Sequence, residues 1–258
     1  MKKRILPVFL SLVLLASALP AAYGAQADTA EMAQVLAALN IMVGNEEGDL
    51  MLTRAVTRAE FTKMLVAASP MGGNVGETTT VSPYPDVSYA HWSASYVEAA
   101  VAAGYVRGNL YGYFEPDRII TLKEGVTMAV RLLGYTDADF SGAWPAGQMT
   151  LYRNLDLDEG IAIGPDGAMT RQDAMYLFYN LLTAPTKQGT PYLTTLGHAL
   201  TASGEIDRVS LINSVMSGPV VMTGSWQSKI NFDLSTATVY RNGNAVSLSS
   251  LQPDDVIY

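Results

Sequence analysis

Two arginines stand directly after the threonine that begins a predicted helix. Arg58 follows Thr57 and Arg171 follows Thr170, and an acidic residue lies three positions after each threonine. A positive charge in the first turn opposes the helix dipole, so helix formation does not account for either arginine. Because a guanidinium offers a planar pair of N–H donors to a carboxylate, the position predicts contact with an anion. The alternative is a solvated surface arginine.

Two tryptophans are candidates either for the core or for contact with a sugar. Trp92 lies 12 residues before Gly104, and Trp144 lies 12 residues before Asp156, so the two occupy matching places. A tryptophan at helical spacing usually belongs to the core, but its ring face can also pack against the C–H groups of a sugar. The sequence leaves both roles open.

The available residue types exclude several other chemistries. The chain has no cysteine and only two histidines, His91 and His198, which disfavours thiol and zinc sites. The acidic cluster of Asp156, Asp158 and Glu159 lacks the ligand spacing of a calcium loop. Nothing in the sequence sets the distance between two of these carboxylates that a glycosidase would need. Phosphate-loop, nucleophile and zinc motifs are absent from the sequence. We therefore expect neither enzyme activity, nor a cofactor, nor a metal.

Three helices with the same kind of start must position the candidate groups. Thr57, Thr121 and Thr170 each precede an acid by three residues, the spacing of a capping box. The apolar residues that follow at helical spacing are Phe61, Met64, Leu65 and Ala68; Met128, Ala129 and Leu132; and Leu177, Phe178 and Leu181. Capping alone explains the threonines and acids, so they are not candidate ligand contacts.

The helix starts belong to internal repeats. A glycine precedes the threonine by 13 residues in the first two copies, at Gly44 and Gly108, and a shorter third copy begins at Gly160. A second helix is predicted before each of these glycines. One such unit cannot bury its own apolar face. The sequence therefore predicts a mainly α fold in which three helix–loop–helix repeats share a core.

Five motifs in these repeats resemble the S-layer homology family, over about residues 28–186. They are Thr57-Arg58-Ala59-Glu60, Tyr84-Pro85-Asp86-Val87, His91-Trp92, Gly104-Tyr105-Val106-Arg107-Gly108 and Gly112-Tyr113-Phe114-Glu115-Pro116-Asp117. The resemblance implies a pseudo-threefold bundle whose grooves bind an acidic, often pyruvylated, secondary cell-wall polysaccharide. Carried over position by position, it implies glycan contacts at Arg58, Asp86, Trp92, Gly108, Trp144 and Arg171.

The copies depart from this pattern in different ways. The middle copy has Leu122 where the family has arginine, with Lys123 beside it. The first copy lacks its opening motif and its tryptophan, and the third lacks the Asp-Val opening and the full-length loop. At least one groove is therefore expected to be degenerate.

The first residues are typical of a secretory signal. Lys2, Lys3 and Arg4 precede an apolar stretch, and small residues offer cleavage after Gly24 or Ala27. A membrane span is the alternative, although the stretch is short for one. We expect a secreted protein at the cell wall or in an S-layer, with no membrane contact after cleavage. The net charge of −8 disfavours nucleic acid as a partner.

The predicted organisation has six parts. They are a signal peptide at 1–27, repeats at 28–80, 81–138 and 139–186, a linker at 187–204, and a small β domain at 205–258. This last domain could be truncated at the end of the sequence. Strand character is found at 206–215, 220–223, 230–234 and 256–258, and Asn242-Gly243 favours a hairpin. The function predicted is non-covalent wall anchoring. The alternatives are a self-assembling S-layer subunit, or the attachment module of an enzyme whose catalytic part lies elsewhere.

If the helix-start arginines bind an acidic glycan, Arg58→Ala or Arg171→Ala should weaken wall binding by ~1–3 kcal/mol each, the range for losing a hydrogen bond to a charged group. Leu122→Ala should affect folding more than binding. Titration of the three variants on sacculi, with thermal melts alongside, tests this. Wild-type binding by both folded arginine variants would contradict the anion contact.

Overall fold

A computed structural model describes residues 28–45, 48–215, 220–229, 239–241 and 244–257. The predicted signal peptide lies outside these residues. The described part is mainly helical, with a few short strands near its C-terminal end. Its α-helices are α1 (Thr29–Ala38), α2 (Arg58–Ala67), α3 (Ala94–Ala102), α4 (Leu122–Leu132), α5 (Ala146–Asn154), α6 (Arg171–Thr183), α7 (Tyr192–Thr195) and α8 (Arg208–Val215).

The three predicted capping boxes start α2, α4 and α6. The acid three residues after each threonine accepts that threonine's backbone N–H, at 2.9 Å for Glu60, 3.0 Å for Glu124 and 2.8 Å for Asp173. These bonds hold the extended chain at a fixed angle to the first turn. The residue after each threonine is therefore placed at the same point of its helix.

The extended segments before α2, α4 and α6 join one another through a closed ring of three backbone hydrogen bonds. Val56 N donates to Met169 O at 2.9 Å, Met169 N donates to Ile120 O at 3.0 Å, and Ile120 N donates to Val56 O at 3.0 Å. The three side chains are fully buried. Because the N–H and C=O of the ring are all paired, segments far apart in sequence are tied together without a buried unsatisfied group.

The first turn of each capped helix also donates to the loop that precedes another capped helix. Arg58 N bonds Arg118 O at 2.8 Å, Leu122 N bonds Gly167 O at 3.0 Å, and Arg171 N bonds Arg54 O at 2.9 Å. These N–H groups have no partner within their own helix. Each helix start therefore depends on a loop from a different part of the chain.

Aromatic side chains fill the space between the capped helices. Phe61 of α2 and Phe178 of α6 are fully buried, with ring centroids 5.1 Å apart. On α4, a Cβ at Gly125 would lie 2.6 Å from Met169 Sδ and 3.2 Å from Phe61 Cζ. Glycine is required there because the phenylalanine ring and the methionine occupy the space that a side chain would need.

Residues 187–215 pack against the helices, in contrast to the loose connection and strand expected from their composition. Tyr192 and Leu193 of α7 are buried, and the Tyr192 hydroxyl donates to Ala68 O at 2.8 Å. Residues 208–215 form α8, so the predicted strand is wrong; Arg208 of this helix pairs with Glu31 of α1 at 2.5 Å. Tertiary burial and an ion pair stabilise a segment whose local sequence favours an extended chain.

Two small antiparallel strand pairs follow. Strands β2 (Val239–Arg241) and β3 (Asn244–Val246) pair as the predicted hairpin, with Val239 opposite Val246. Strand β1 (Val220–Val221) pairs with β4 (Val256–Ile257). The predicted strand at 230–234 and the Asn242-Gly243 turn lie outside the described residues.

Arg118 and Glu124 form an ion pair next to the middle capping box. Arg118 Nη2 lies 2.6 Å from Glu124 Oε1, and its Nε lies 2.8 Å from Glu115 Oε2. Burial alone would raise the pKa of Glu124, but hydrogen bonds from Arg118 and Thr121 lower it to about 2. The charged carboxylate is therefore favoured by folding.

Replacing Phe61 tests whether the capped helices share one core. Phe61→Ala should lower the free energy of unfolding by about 3–5 kcal/mol, because the cavity would open between α2, α4 and α6. Urea denaturation should show one transition for the helical part in both proteins. Leu110→Ala, at a side chain that is 102% exposed, is the control and should change stability by less than about 0.5 kcal/mol. A small effect of Phe61→Ala would contradict the shared core.

The Glu124 carboxylate gives a pH-dependent contribution to stability. Because its folded pKa of about 2 lies below the ordinary 4.5, the contribution is present above pH ~4.5 and is lost as the pH falls towards ~2. Glu124→Gln should therefore destabilise the protein at pH 7, by up to roughly 3 kcal/mol, and the difference from wild type should vanish near pH 2. Denaturant melts across this range, with exposed Glu77→Gln as the control, measure it. A difference independent of pH would contradict the assignment.

Candidate functional site

Arg58 lies at the first position of α2 and is only 8% exposed. Its Nη2 donates to Arg107 O at 2.6 Å, and its guanidinium carbon lies 4.9 Å from the centre of the Phe114 ring. The Nη1 atom lies 3.7 Å from Glu124, and the buried Nε has no hydrogen-bond acceptor among the described residues. Burial lowers the pKa of this guanidinium. The solvated-arginine alternative is therefore wrong at this position.

Arg58 lines a groove of about 170 Å³ together with residues from α4 and from two loops. The remaining lining residues are Arg107, Glu124, Thr127, Met128, Arg131 and Trp144. An adjoining cavity of about 300 Å³ is lined by Arg131, Asp137, Phe140, Gly142, Trp144 and Gln148. We call the two together the arginine–tryptophan groove; Arg131 and Trp144 line both parts.

Trp144 is held at this groove with much of its ring in solvent. The side chain is 49% exposed, and its Nε1 donates to Thr127 Oγ1 at 2.9 Å. The Lys123 ammonium lies 5.0 Å from the ring centre and also pairs with Asp166. The hydrogen bond fixes the indole plane, while the exposed part of the ring offers an apolar surface.

Two arginines that the sequence analysis missed provide further positive charge. Arg131 Nη1 donates to Tyr105 O at 3.0 Å, and its Nη2 lies 2.9 Å from Asp137 Oδ1. Arg107 pairs with the other oxygen of the same carboxylate. The hydrogen bond and charge of Arg131, with the nearby charge of Arg107, lower the pKa of Asp137. Asp137 therefore bridges the two cations as an anion.

Arg171 is buried in a different way. Only 7% of it is exposed, its Nε donates to Leu50 O at 2.5 Å, and its Nη2 donates to Val43 O at 2.9 Å. Burial lowers its pKa. It lines neither part of the arginine–tryptophan groove. These contacts hold the loop before α2 against the start of α6.

Asp86 and Gly108 shape the loop beneath Arg58. The Asp86 carboxylate accepts from Phe114 N at 2.9 Å and from Glu115 N at 2.6 Å. A Cβ on Gly108 would lie 2.5 Å from the Tyr84 ring, which itself stacks on Phe114. Both residues thus position Phe114, on which the Arg58 guanidinium rests, and neither lines the groove.

Trp92 also stays away from the groove. It is 49% exposed, the same value as Trp144, and its ring lies 5.7 Å from that of His91. Two of the six predicted contacts, Arg58 and Trp144, are therefore brought together. The other four do not line the groove, and the assignment of all six to glycan binding remains a prediction.

The capped helices differ at the position that carries Arg131. Counting nine residues from each helix start gives Ala67 in α2, Arg131 in α4 and Asn180 in α6. The residue before the loop glycine is Val43 in the first copy and Arg107 in the second. Comparing the copies position by position would have revealed both arginines. Positive charge is concentrated in the arginine–tryptophan groove.

Within the described ranges, no group of three or more histidine, aspartate or glutamate side chains is placed to hold a metal ion. Across the same residues, each helix is too short or too polar to cross a membrane.

Comparison with known proteins agrees with the motifs of the middle copy. Residues 83–124 match the S-layer homology domain family. The chain is 26% identical over 230 residues, 89% of its length, to a middle cell wall protein of Brevibacillus brevis (strain 47), of which the alignment covers 21%. It is 33% identical over 128 residues, 49% of its length, to a surface layer protein of Brevibacillus choshinensis, covering 11% of that protein.

A third similar protein is named for attachment. The chain is 30% identical over 94 residues, 36% of its length, to a cellulosome-anchoring protein of Acetivibrio thermocellus, covering 21% of that protein. Other matched proteins are named as glucanases and an amylopullulanase. The chain spans about a fifth or less of the first relatives that it matches. These similarities support cell-surface anchoring and indicate a cell-wall or cell-surface location, and residues 83–124 of this chain are an S-layer homology domain.

Proposed function

We propose that this chain anchors a surface protein to the bacterial wall by binding an acidic secondary cell-wall polysaccharide in the arginine–tryptophan groove. The observation that carries the proposal is the half-exposed Trp144 ring beside Arg58, Arg107 and Arg131. The chain as a whole is acidic, with a net charge of −8. A local group of cations on such a protein favours a specific anionic ligand over general adhesion.

The chemistry of the groove suits a carboxylated sugar. Guanidinium groups form paired, charge-assisted hydrogen bonds with a carboxylate. The Trp144 ring is held by Thr127 at 2.9 Å, so it can pack against the apolar C–H face of a pyranose without losing its own hydrogen bond. An acidic, pyruvylated polysaccharide offers both features on one residue.

We further propose that residues 28–80, 81–138 and 139–186 are three repeats related by a threefold pseudo-axis. The closed ring formed by Val56, Ile120 and Met169 supports this arrangement, since each segment makes the same donation to the next. In this arrangement the helix start of α4 carries Leu122 in place of an arginine, and this leucine is 1% exposed and belongs to the core. The grooves are therefore unequal.

Self-assembly into a surface layer is a second candidate. It is favoured by the loop between Gly108 and Phe114, where Leu110 is 102% exposed and Tyr111 is 85% exposed. Neighbouring exposed apolar side chains that form a contiguous patch mark interaction sites, whereas single ones are ordinary. Sedimentation of wild type and Leu110→Ser would separate this function from glycan binding, which does not involve the loop tip.

Removing one exposed arginine tests the proposed groove without disturbing the core. The Arg107 side chain is 67% exposed, and Arg58 uses its backbone carbonyl only. Arg107→Gln should weaken binding to purified sacculi roughly 10-fold or more, because a charge-assisted hydrogen bond is lost. Trp144→Ala should weaken it as well. Binding isotherms with labelled protein at fixed salt concentration measure the effect.

Matched controls make the result specific. Arg153→Gln removes the same charge from an exposed position at the end of α5 and should leave binding unchanged. Sacculi stripped of the secondary polysaccharide should lose wild-type binding. If Arg107→Gln and Trp144→Ala both bind as wild type does, the groove is not the site. If stripped sacculi still bind, the ligand is not the secondary polysaccharide.

A further inference from the structure

Asp137 occupies the place where an anion bound to Arg107 and Arg131 would sit. It belongs to a short 3-10 helix, Asp137–Asp139, between α4 and α5. One carboxylate oxygen lies 2.9 Å from Arg131 Nη2, and the other pairs with Arg107. A carboxylate that bridges two guanidinium groups makes the same contacts that the acidic group of a ligand would make.

We propose that Asp137 is a specificity-determining residue, an internal carboxylate that competes with the ligand's acidic group for Arg107 and Arg131. This inference rests on the proposed function of the arginine–tryptophan groove. When a carboxylated sugar binds, the two arginines exchange the Asp137 carboxylate for that of the ligand, and Asp137 turns into solvent. A neutral sugar does not require this exchange, so Asp137 weakens the binding of charged ligands only and sets how strongly the groove prefers them over neutral ones.

The exposure of Asp137 and Arg107 makes the exchange possible. Asp137 is 45% exposed and Arg107 is 67% exposed, and ion pairs between such exposed groups contribute little to stability. Arg131 is 13% exposed and stays in place through its bond to Tyr105 O. Arg131 is thus fixed by the fold, while the Asp137 carboxylate can leave by rotating its own side chain.

The neighbouring acid has a separate role, which makes it a suitable control. Asp139 pairs with Lys187 at 2.5 Å and accepts from Thr136 N at 2.8 Å. It lines neither part of the groove. Asp139→Asn therefore makes the same change of net charge, two residues away, without freeing either arginine.

The position also differs from the matching place in another copy. Asp137 lies six residues after Arg131, and the same count from Ala67 of α2 reaches Gly73. The acid therefore occurs together with the groove arginine in the middle copy, and both are missing at the matching places in the first. In these two copies the acid and the arginine that it pairs with are thus present together or absent together.

The test is calorimetric titration of a monosaccharide that carries a pyruvyl ketal, and of its uncharged methyl ester. Asp137→Asn should bind the charged sugar roughly 3- to 10-fold more tightly than wild type, since the competing ion pair is removed. Affinity for the methyl ester should not rise. Asp139→Asn should match wild type in both titrations, and thermal melts should show that all proteins are folded.

A cycle with the arginines separates competition from a general charge effect. In an Arg107→Gln, Arg131→Gln background, Asp137→Asn should give no gain in affinity. Equal or weaker binding of the charged sugar by folded Asp137→Asn would overturn the proposal, as would an equal gain from Asp139→Asn or failure of every variant to bind it. Sacculus binding tests the proposed function independently. If Arg107→Gln loses sacculus binding while Asp137→Asn binds the charged sugar with unchanged affinity, the competition by Asp137 is wrong and the proposed function of the groove stands.

Discussion

The rest of the helical structure depends on the closed ring of backbone hydrogen bonds among Val56, Ile120 and Met169. Each segment leads directly into a capped helix, so the ring fixes where α2, α4 and α6 begin and how they point. The buried side chains of the ring contact the aromatic core that contains Phe61. Without the ring, three short helices would each expose an apolar face and unpaired first-turn N–H groups.

The same geometry gives the helix-start arginines a structural task. A guanidinium in the first turn faces the helix dipole unfavourably, and here it is also buried. Backbone carbonyls offset this cost, at Arg107 for Arg58 and at Leu50 and Val43 for Arg171. Arg171 therefore connects the loop before α2 to the start of α6. The buried Nε of Arg58 has no acceptor within the part of the chain that the structure describes, and the side chain lines a groove.

The distribution of charge gives the arginine–tryptophan groove its chemistry. Arg107 and Arg131 share a single carboxylate, that of Asp137, while Glu124 is held as an anion by Arg118 and Thr121. Cations thus remain concentrated around the exposed ring of Trp144 even though the whole chain is acidic. Such a local field acts over a distance comparable to the Debye length, about 8 Å in physiological salt.

The sequence by itself determined the helix starts, the hairpin at Val239–Val246 and the likeness to S-layer homology domains, because capping boxes, strand patterns and motifs are encoded within short stretches. Only the tertiary structure decided which candidate residues meet. Arg58 and Trp144 are 86 positions apart. A single arginine such as Arg107 or Arg131 is ordinary within its own stretch of sequence and stands out only when the copies are compared. Likewise α8 formed where the local pattern favoured a strand, since its burial and its contact with Glu31 are long-range effects.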